Sequence, residues 1–290
     1  MENTEKGPTM TDAFNSKLGE SPLKREIEYH DYIYPKISIV IPTLNNSQNI
    51  AVTLNRLLKE SYPDFEVIII DAGSTDRTLE IINSFFDSRV RICSVTTYQL
   101  YEMLNKGISL ATGEYINFLA PGDFHLSPYT IKTIMDLVLE NNNPHLAYGA
   151  CLLRDGKSEP RILYRELSTS LLKKGLQPTS IQTFWFHKDL FSIIGKFRTH
   201  FKVRGELDLF CRFALSPGLQ QASTSHVIID FDLKRLNLRD MTLHFKETFQ
   251  IVYRYFGFFT AFKWLFIQKD IGRMIKLWLY SIKMAFVRAR

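Results

Sequence analysis

Residues 66–76 read EVIIIDAGSTD, and this stretch decides the fold class. The run from Glu66 to Ile70 is dominated by β-branched residues, which is typical of a strand buried on both faces. Asp71 to Asp76 are turn-forming residues that end the strand abruptly. Because such strands belong to parallel sheets covered by helices, the stretch predicts an α/β domain with a polar loop at a strand's carboxyl end.

Strands and helices alternate along the chain around this stretch. The predicted strands are 37–41, 66–70, 90–95 and 115–119, with helices starting near residues 47 and 76 and a third helix over 99–111. This alternation predicts a mostly parallel sheet flanked by helices. Functional residues are then expected in the loops that follow the strands.

The 290 residues divide into three predicted regions. Residues 1–35 are polar and expected to be poorly ordered, 36–235 form one domain, and 236–290 form a helical tail. No apolar signal segment follows Met1, and the three cysteines are far apart in the chain. Both observations favour a cytoplasmic location without a disulfide framework.

The positive charge of the chain is concentrated in its tail. The whole sequence has a net charge of +6, whereas residues 248–290 contain eight basic residues and one acid. The remaining sequence is therefore close to neutral, and no nucleic-acid-binding motif is visible. These observations disfavour a nucleic-acid partner.

Three predicted strands are each followed by a polar loop: PTLN at 42–45, DAGSTD at 71–76 and PGD at 121–123. Any one of them is explained by an ordinary turn, but three together predict the lip of a ligand crevice. The first loop has no GxGxxG motif, and the sequence contains no GxxxxGK[ST] motif. Acidic groups at the crevice suggest binding of a base or ribose, with a divalent cation on the phosphates.

Three segments carry a family resemblance: SIVIPTLN at 38–45, VIIIDAGSTD at 67–76 and LNKGISLATGEYINFLAPGD at 104–123. Together they resemble the family 2 inverting glycosyltransferases, and the resemblance runs from about residue 36 to about 215. The stretch from Tyr101 to Asp123 is similar to bacterial enzymes of exopolysaccharide, capsule or O-antigen synthesis. The resemblance implies a Rossmann-like GT-A fold, a nucleotide-sugar donor, and a saccharide or lipid-linked acceptor.

The resemblance also implies roles for residues on the donor side. Asp71 is expected to accept a hydrogen bond from the nucleotide base. The other residues expected to bind the nucleotide sugar are Pro42, Thr43, Asn45, Gly73, Ser74, Asn105 and Lys106.

The third loop is where the resemblance implies a metal site. The family's loop carries a pair of carboxylates, whereas this loop reads Ala120-Pro121-Gly122-Asp123 and keeps only the last. Asp123 is therefore expected to bind Mg²⁺ or Mn²⁺ together with phosphate oxygens and water. His125 is a weaker candidate ligand, and the alternative is an ordinary surface histidine.

The segment RGELDLFCR at 204–212 resembles the part of the family that supplies the catalytic base. The alignment places Glu206 at the base position, where the family usually has Asp, and Asp208 is the fallback. The alternative is that both acids merely stabilise a helix N-terminus. Upstream, Trp185 and Phe186 could stack on a sugar, although burial in the core is expected to be their role.

The tail has the pattern of a basic amphipathic helix. Its apolar stripe is Ile267, Ile271, Ile275, Trp278, Ile282 and Phe286, with lysines recurring on another face. This pattern is typical of a helix lying on an anionic membrane surface, here the inner face of the cell membrane. The alternative is a helix that packs its stripe against the domain or a second subunit.

Two rivals to the enzyme prediction remain open at the level of sequence. The missing first carboxylate of the third loop and the Glu at the base position would also suit a catalytically silent binding or scaffold protein with the same fold. The second rival is a membrane adaptor whose function lies in the tail.

Overall fold

The computed structural model describes residues 34–154, 159–232 and 238–267. The strands are β1 (Ile37–Thr43), β2 (Phe65–Asp71), β3 (Val90–Ser94), β4 (Tyr115–Phe118), β5 (Phe124–His125), β6 (Leu146–Arg154), β7 (Arg161–Leu163), β8 (Phe184–His187) and β9 (Gln221–Asp232). The helices are α1 (Ile50–Leu57), α2 (Thr78–Asn83), α3 (Leu100–Leu110), α4 (Thr130–Glu140), α5 (Thr169–Lys173), α6 (Leu190–Ile193), α7 (Gly205–Leu215) and α8 (Leu238–Ile267). A short 3₁₀ turn spans Ile181–Thr183.

The described strands form one sheet in the order β3-β2-β1-β4-β8-β6-β9-β5, with β7 paired to β6. The pairs β3-β2, β2-β1 and β1-β4 are parallel, as the alternating sequence pattern predicts. The other half of the sheet is mixed, because β8 runs antiparallel to both β4 and β6. The α/β prediction is confirmed, and the parallel part of the sheet is its first half.

The register of β1 and β2 brings two of the polar loops together. Thr43 at the end of β1 is the partner of Asp71 at the end of β2. The amide of Ala72 donates to the carbonyl oxygen of Thr43 at 2.9 Å. Since the strands are parallel, both loops leave the sheet at the same edge.

Helix α3 lies unusually close to the sheet. A Cβ atom on Gly107 would fall 2.2 Å from a methyl carbon of Val40 in β1, so only glycine fits at that position. On the same helix Tyr101 stacks against Phe197, with ring centroids 5.5 Å apart. This packing places the start of α3 beside the segment that leads to α7.

The C-terminal helix α8 packs against the domain through one face. Ile251, Val252 and Ala261 are fully buried, and the indole Nε1 of Trp264 donates to the carbonyl oxygen of Lys174 at 3.0 Å. The helix is kinked at Gly257, whose φ of +81° is a conformation that glycine adopts without strain. This face of α8 is therefore part of the packed interior of the domain.

The stripe that predicts membrane binding begins at Ile267, and its side chains lie outside the described residues. Among the helices that are described, none combines the length and the apolar character needed to cross a bilayer.

Candidate active site

The loops that follow β1 and β2 are joined by side chains. The Oδ1 atom of Asn45 accepts from the amide of Thr75 at 2.8 Å, and the Asn45 amide donates to Ser74 Oγ at 2.9 Å. One position further on, the Asn46 amide donates to Thr78 Oγ1 at 2.7 Å. Asn45 has a φ of +52°, which asparagine tolerates better than most residues. The two loops therefore behave as a single structural unit, which we call the strand loops (residues 43–47 and 71–78).

Asp71 is the centre of its own loop. Its carboxylate accepts from the amides of Gly73 and Ser74, both at 3.0 Å, and from Ser74 Oγ at 2.5 Å. Only 1% of Asp71 is exposed, whereas Gly73 is exposed and has a φ of +86°. The structure thus shows Asp71 holding the loop in shape. Its hydrogen bond to a nucleotide base stays a prediction.

Two neighbouring residues complete the strand-loop side of the crevice. Thr43 is buried, and its Oγ1 atom has no hydrogen-bond partner within the described part of the chain. A buried hydroxyl without a partner carries a free-energy cost that a polar ligand can remove. Pro42 precedes it on β1 and is partly exposed.

The third loop closes around Thr53 of α1. The Thr53 hydroxyl accepts from the amide of Gly122 at 2.7 Å and donates to the carbonyl oxygen of Asp123 at 2.8 Å. The Oδ2 atom of Asp123 accepts from the Ala120 amide at 3.1 Å and from Gln182 Nε2 at 2.9 Å. Asp123 is thus fully buried and tied to the 3₁₀ turn.

The chemistry of Asp123 fits a divalent cation, because Mg²⁺ prefers carboxylate oxygens and is commonly held by one or two carboxylates plus substrate phosphates. Within the described residues no group of three His, Cys, Asp or Glu side chains could hold a metal ion. Asp123 would therefore be one ligand of the cation, and the phosphates of a donor would supply others.

His125 is not the surface residue that the sequence offered as an alternative, and its role as a metal ligand stays a prediction. It is 2% exposed on β5, and its Nδ1 atom lies 2.6 Å from Oε1 of the buried Glu60. The surface alternative is wrong because the ring is enclosed beside Trp185, with centroids 5.9 Å apart. The geometry describes a buried polar pair that joins β5 to the end of α1.

Glu206, the predicted base, lies in the first turn of α7 and is half-buried. The phenolic hydroxyl of Tyr101 donates to Glu206 Oε2, and the Tyr101 hydroxyl oxygen accepts from the Gly205 amide at 2.8 Å. Burial, followed by the charge of Glu206, raises the pKa of Tyr101 well above its ordinary value. Tyr101 is therefore a neutral hydrogen-bond donor, and it fixes the position of the Glu206 carboxylate.

Asp208, the fallback base, has a different environment. It is fully buried, and its Oδ1 atom accepts from Arg198 Nη1 at 2.9 Å and from the Tyr255 hydroxyl at 2.8 Å. Its Oδ2 atom accepts from Arg212 Nε at 3.0 Å. A carboxylate engaged by two guanidinium groups and closed to solvent is suited to holding α7 in place. Of the two acids, this geometry favours Glu206 as the base.

Two predicted donor-binding residues on α3 are placed differently from the strand loops. The amide group of Asn105 binds the backbone of Phe197 twice, donating to its carbonyl oxygen at 2.8 Å and accepting from its amide at 3.0 Å. Asn105 thus braces the segment before α7. Lys106 is exposed on the same helix. Their contact with a nucleotide sugar stays a prediction.

The aromatic residues of β8 belong to the core. Trp185 and Phe186 are both fully buried, as the sequence analysis expected, because β8 is paired on both sides. Sequence reasoning missed Tyr101 and Gln182, which contact the predicted base and metal ligand directly. Tyr101 could have been noticed because it begins the stretch to Asp123 that resembles bacterial enzymes, whereas nothing near Gln182 singles it out.

The fold and the site together define a class of protein. A sheet flanked by helices, with polar loops at the carboxyl ends of three parallel strands, is the architecture of the GT-A glycosyltransferases. Residues 38–203 match the family model described as glycosyl transferase family 2, and the chain belongs to this family.

Relatives and solved structures agree with this assignment. A PGL/p-HBAD biosynthesis glycosyltransferase of Mycobacterium bovis is 29% identical over 188 residues, which are 64% of this chain and 72% of the relative. S. aureus TarS 1-349 in complex with UDP-GlcNAc superimposes with a TM-score of 0.61 at 19% identity, covering 76% of this chain and 67% of TarS 1-349.

A third comparison comes from an archaeal enzyme. The mannosyltransferase PcManGT from Pyrobaculum calidifontis, in complex with GDP-Man and Mn²⁺, has a TM-score of 0.58 at 15% identity, covering 88% of this chain and 81% of that enzyme. At 19% and 15% identity, the similarity to these two solved structures shows that they share the fold of this chain.

Proposed function

We propose that this chain is an inverting glycosyltransferase that moves a sugar from a nucleotide-diphosphate donor to a saccharide, carried on a lipid, during synthesis of a bacterial surface polysaccharide. The observation that carries the proposal is the joining of the strand loops at one sheet edge, where Asn45 and Asp71 hold a shaped polar rim. The TarS complex with UDP-GlcNAc and the PcManGT complex with GDP-Man and Mn²⁺ support a nucleotide-sugar donor.

The strand loops bind and orient the donor in this proposal. Asp71 keeps the loop after β2 in the shape that meets the nucleotide, and Thr43 offers a buried hydroxyl to a polar group of the donor. Asp123 would hold Mg²⁺ or Mn²⁺, which neutralises the charge of the departing diphosphate when it is bound. We propose that cation binding replaces the hydrogen bonds that Asp123 now accepts from Ala120 and Gln182.

Glu206 acts as the general base. Its carboxylate removes the proton from an acceptor hydroxyl while the hydroxyl oxygen forms a bond to the anomeric carbon. The bond from that carbon to the diphosphate oxygen breaks on the opposite face, so the anomeric configuration is inverted and the electron pair leaves with the diphosphate. Tyr101 keeps the Glu206 carboxylate in place through its hydroxyl.

The test is nucleotide release from UDP-GlcNAc and from GDP-Man, with Mn²⁺, with Mg²⁺ and with chelator. We expect metal-dependent release that is abolished by Asp123→Asn, although an asparagine oxygen can still accept from the Ala120 amide. Asp136→Asn on the exposed face of α4 is the matched control and should turn over normally. Glu206→Gln should bind the donor like the wild type while losing turnover.

Absence of nucleotide binding by calorimetry with either metal would contradict the proposal and favour the catalytically silent scaffold. Metal-independent release that survives Asp123→Asn would contradict the metal assignment alone.

We further propose that the enzyme lies on the anionic inner face of the cell membrane. Phe259 and Phe266 are 87% and 70% exposed on α8, and exposed aromatic rings of this kind insert into the headgroup region. Phe259 lines a cavity of about 400 Å³ together with Lys173, Lys174 and Lys263. Aromatic rings next to lysines match the chemistry of an acidic lipid surface.

Co-sedimentation with phosphatidylcholine vesicles, with and without phosphatidylglycerol, tests this location. Binding should require the anionic lipid, weaken with salt, and fall when Phe259 and Phe266 are both changed to alanine. Phe86→Ala is the matched control, because Phe86 is 94% exposed on another part of the molecule. Equal binding by the double variant and the wild type would overturn the proposal for this face.

A further inference from the structure

The C-terminal helix α8 reaches back to the segment that carries the proposed base. Glu247 of α8 is 4% exposed, and its Oε1 atom accepts from the Lys202 amide at 2.8 Å. Its Oε2 atom accepts from the amides of Val203 at 3.0 Å and Arg204 at 2.9 Å. These three amides immediately precede Gly205, the first residue of α7. We call residues 202–206 the base segment.

The base segment lacks a cap from its own sequence. The residue at the N-cap of α7 is Arg204, and its side chain makes no capping hydrogen bond. Amide groups at a helix start need acceptors, and a carboxylate there is further favoured by the helix dipole. The carboxylate of Glu247 supplies an acceptor for the Arg204 amide at this start, from 43 residues downstream of Arg204.

A second anchor joins the base segment to α8 through Arg204. The guanidinium group is buried, and it donates to the carbonyl oxygen of Gly175 at 2.7 Å and to Gln177 Oε1 at 2.9 Å. Gly175 lies against Trp264 of α8, since a Cβ on Gly175 would be 2.6 Å from the indole nitrogen. Burial lowers the pKa of Arg204, and the charges of Glu206 and Glu247 act in the opposite direction.

The start of α7 also has little room to move. A Cβ on Gly205 would lie 2.7 Å from the ring of Tyr101, the same ring whose hydroxyl binds the Gly205 amide and Glu206. Any shift of the base segment therefore moves Glu206 relative to Tyr101. A displacement of about 1 Å at a catalytic group can reduce the rate about 100-fold.

We propose that Glu247 is a positioning residue, which holds the Glu206 carboxylate at the place where it meets the acceptor hydroxyl. This inference rests on the proposed function, because it takes Glu206 as the base. It makes α8 part of the catalytic architecture in addition to any role at a membrane.

The experiment compares Glu247→Gln with Val252→Ala in the full chain. The Gln side chain keeps the shape of Glu247 but turns an amide group toward backbone N–H donors. Val252 is fully buried on the same helix, and truncating it costs stability without touching the base segment. The assays are nucleotide release from the active donor, thermal unfolding, and amide hydrogen exchange at residues 202–204.

We expect Glu247→Gln to lower kcat by about 10- to 100-fold while the donor KM stays within about twofold. Amide exchange at 202–204 should accelerate by about tenfold or more, as expected for lost hydrogen bonds. Val252→Ala should lower the melting temperature at least as much and keep the wild-type kcat. A fall in kcat for Glu247→Gln but not for the equally destabilised Val252→Ala would distinguish positioning from a general loss of stability.

Three outcomes would overturn the inference. Wild-type turnover by Glu247→Gln beside an inactive Glu206→Gln overturns the positioning role and leaves the base assignment intact. Wild-type turnover by Glu206→Gln overturns the base assignment and the positioning role with it. Unchanged amide hydrogen exchange at residues 202–204 in Glu247→Gln overturns the positioning role, even if the protein turns over no donor.

Discussion

The strand loops and the base segment are both polar and both lie beside buried structure, yet they are held in different ways. In the strand loops, Asp71 binds residues two and three positions away. Asn45 binds the loop about 30 residues downstream, which lies alongside because β1 and β2 are paired. The base segment is held by Tyr101, 104 residues before Gly205, and by Glu247, 43 residues after Arg204.

The two regions therefore depend on different parts of the fold. The strand loops form once β1 and β2 pair, because the register itself sets Thr43 beside Asp71. The base segment instead takes its hydrogen bonds from α3 and from α8. The family match ends at residue 203, so it covers the strand loops and excludes Glu206 and Glu247.

The strongest test of this contrast is Asp208→Ala. Asp208 is fully buried between Arg198, Arg212 and Tyr255, and it links α7 to α8. Removing one partner of a buried ionic group costs about 3–5 kcal/mol. We expect a loss of that order in the free energy of unfolding, measured by urea denaturation.

Asp189→Ala is the matched control for Asp208→Ala, since the Asp189 side chain is 76% exposed. It should change stability by less than about 0.5 kcal/mol. If Asp208→Ala kept its stability and lost turnover, Asp208 rather than Glu206 would be favoured as the base.

The next largest effect is expected from Tyr101→Phe. The change removes the hydroxyl that binds Glu206 and leaves the buried Gly205 amide without its acceptor. Hydrogen bonds to charged groups contribute about 1.5–3 kcal/mol, so we expect kcat to fall about 10-fold or more. Donor binding by calorimetry should not change. A parallel loss of donor affinity would show that Tyr101 supports the donor side as well.

The contrast also explains what the sequence could and could not predict. The runs at 37–41 and 66–70 predict buried strands, and the structure confirms them, because short runs dominated by β-branched residues fit few other environments. The position of Asp71 follows from the second of those strands, whereas that of Asp123 follows from the strand predicted at 115–119. Sequence reasoning could not find Glu247, because a single acid on a helix carries no local signal of a contact 43 residues away.

His125 shows the same limit within the first half of the chain. It follows Asp123 by two positions, and only the pairing of β5 with β9 and the approach of α1 bury it beside Glu60. Tertiary contacts of this kind decide whether a loop histidine is a ligand, a surface residue or part of the core. The tail was ambiguous for the same reason, since one face of α8 packs on the domain while Phe259 is exposed.

A smaller effect should distinguish the strand loops from the base segment. Asn45→Gly removes the acceptor for the Thr75 amide but permits the φ of +52°, whereas Asn45→Ala removes the acceptor and strains the backbone. We expect Asn45→Gly to cost about 1 kcal/mol and to raise the donor KM about fivefold. Asn45→Ala should cost about 1 kcal/mol more. Neither should lower kcat, and a fall in kcat would show that the two regions are coupled.

The last prediction concerns the α7–α8 contact at high pH. Burial, then the hydrogen bond with Asp208, raises the pKa of Tyr255 to about 12. The ordinary value is about 10. Because the folded pKa is the higher one, the stabilisation is complete below about pH 10 and is lost as the pH rises toward 12. Phenylalanine at this position cannot titrate. The stability advantage of the wild type over Tyr255→Phe should therefore shrink across this range, measured by urea denaturation. A stability advantage that stays constant with pH would mean that Tyr255 is not held against Asp208 in solution. In that case α8 would be attached through Glu247 and Trp264.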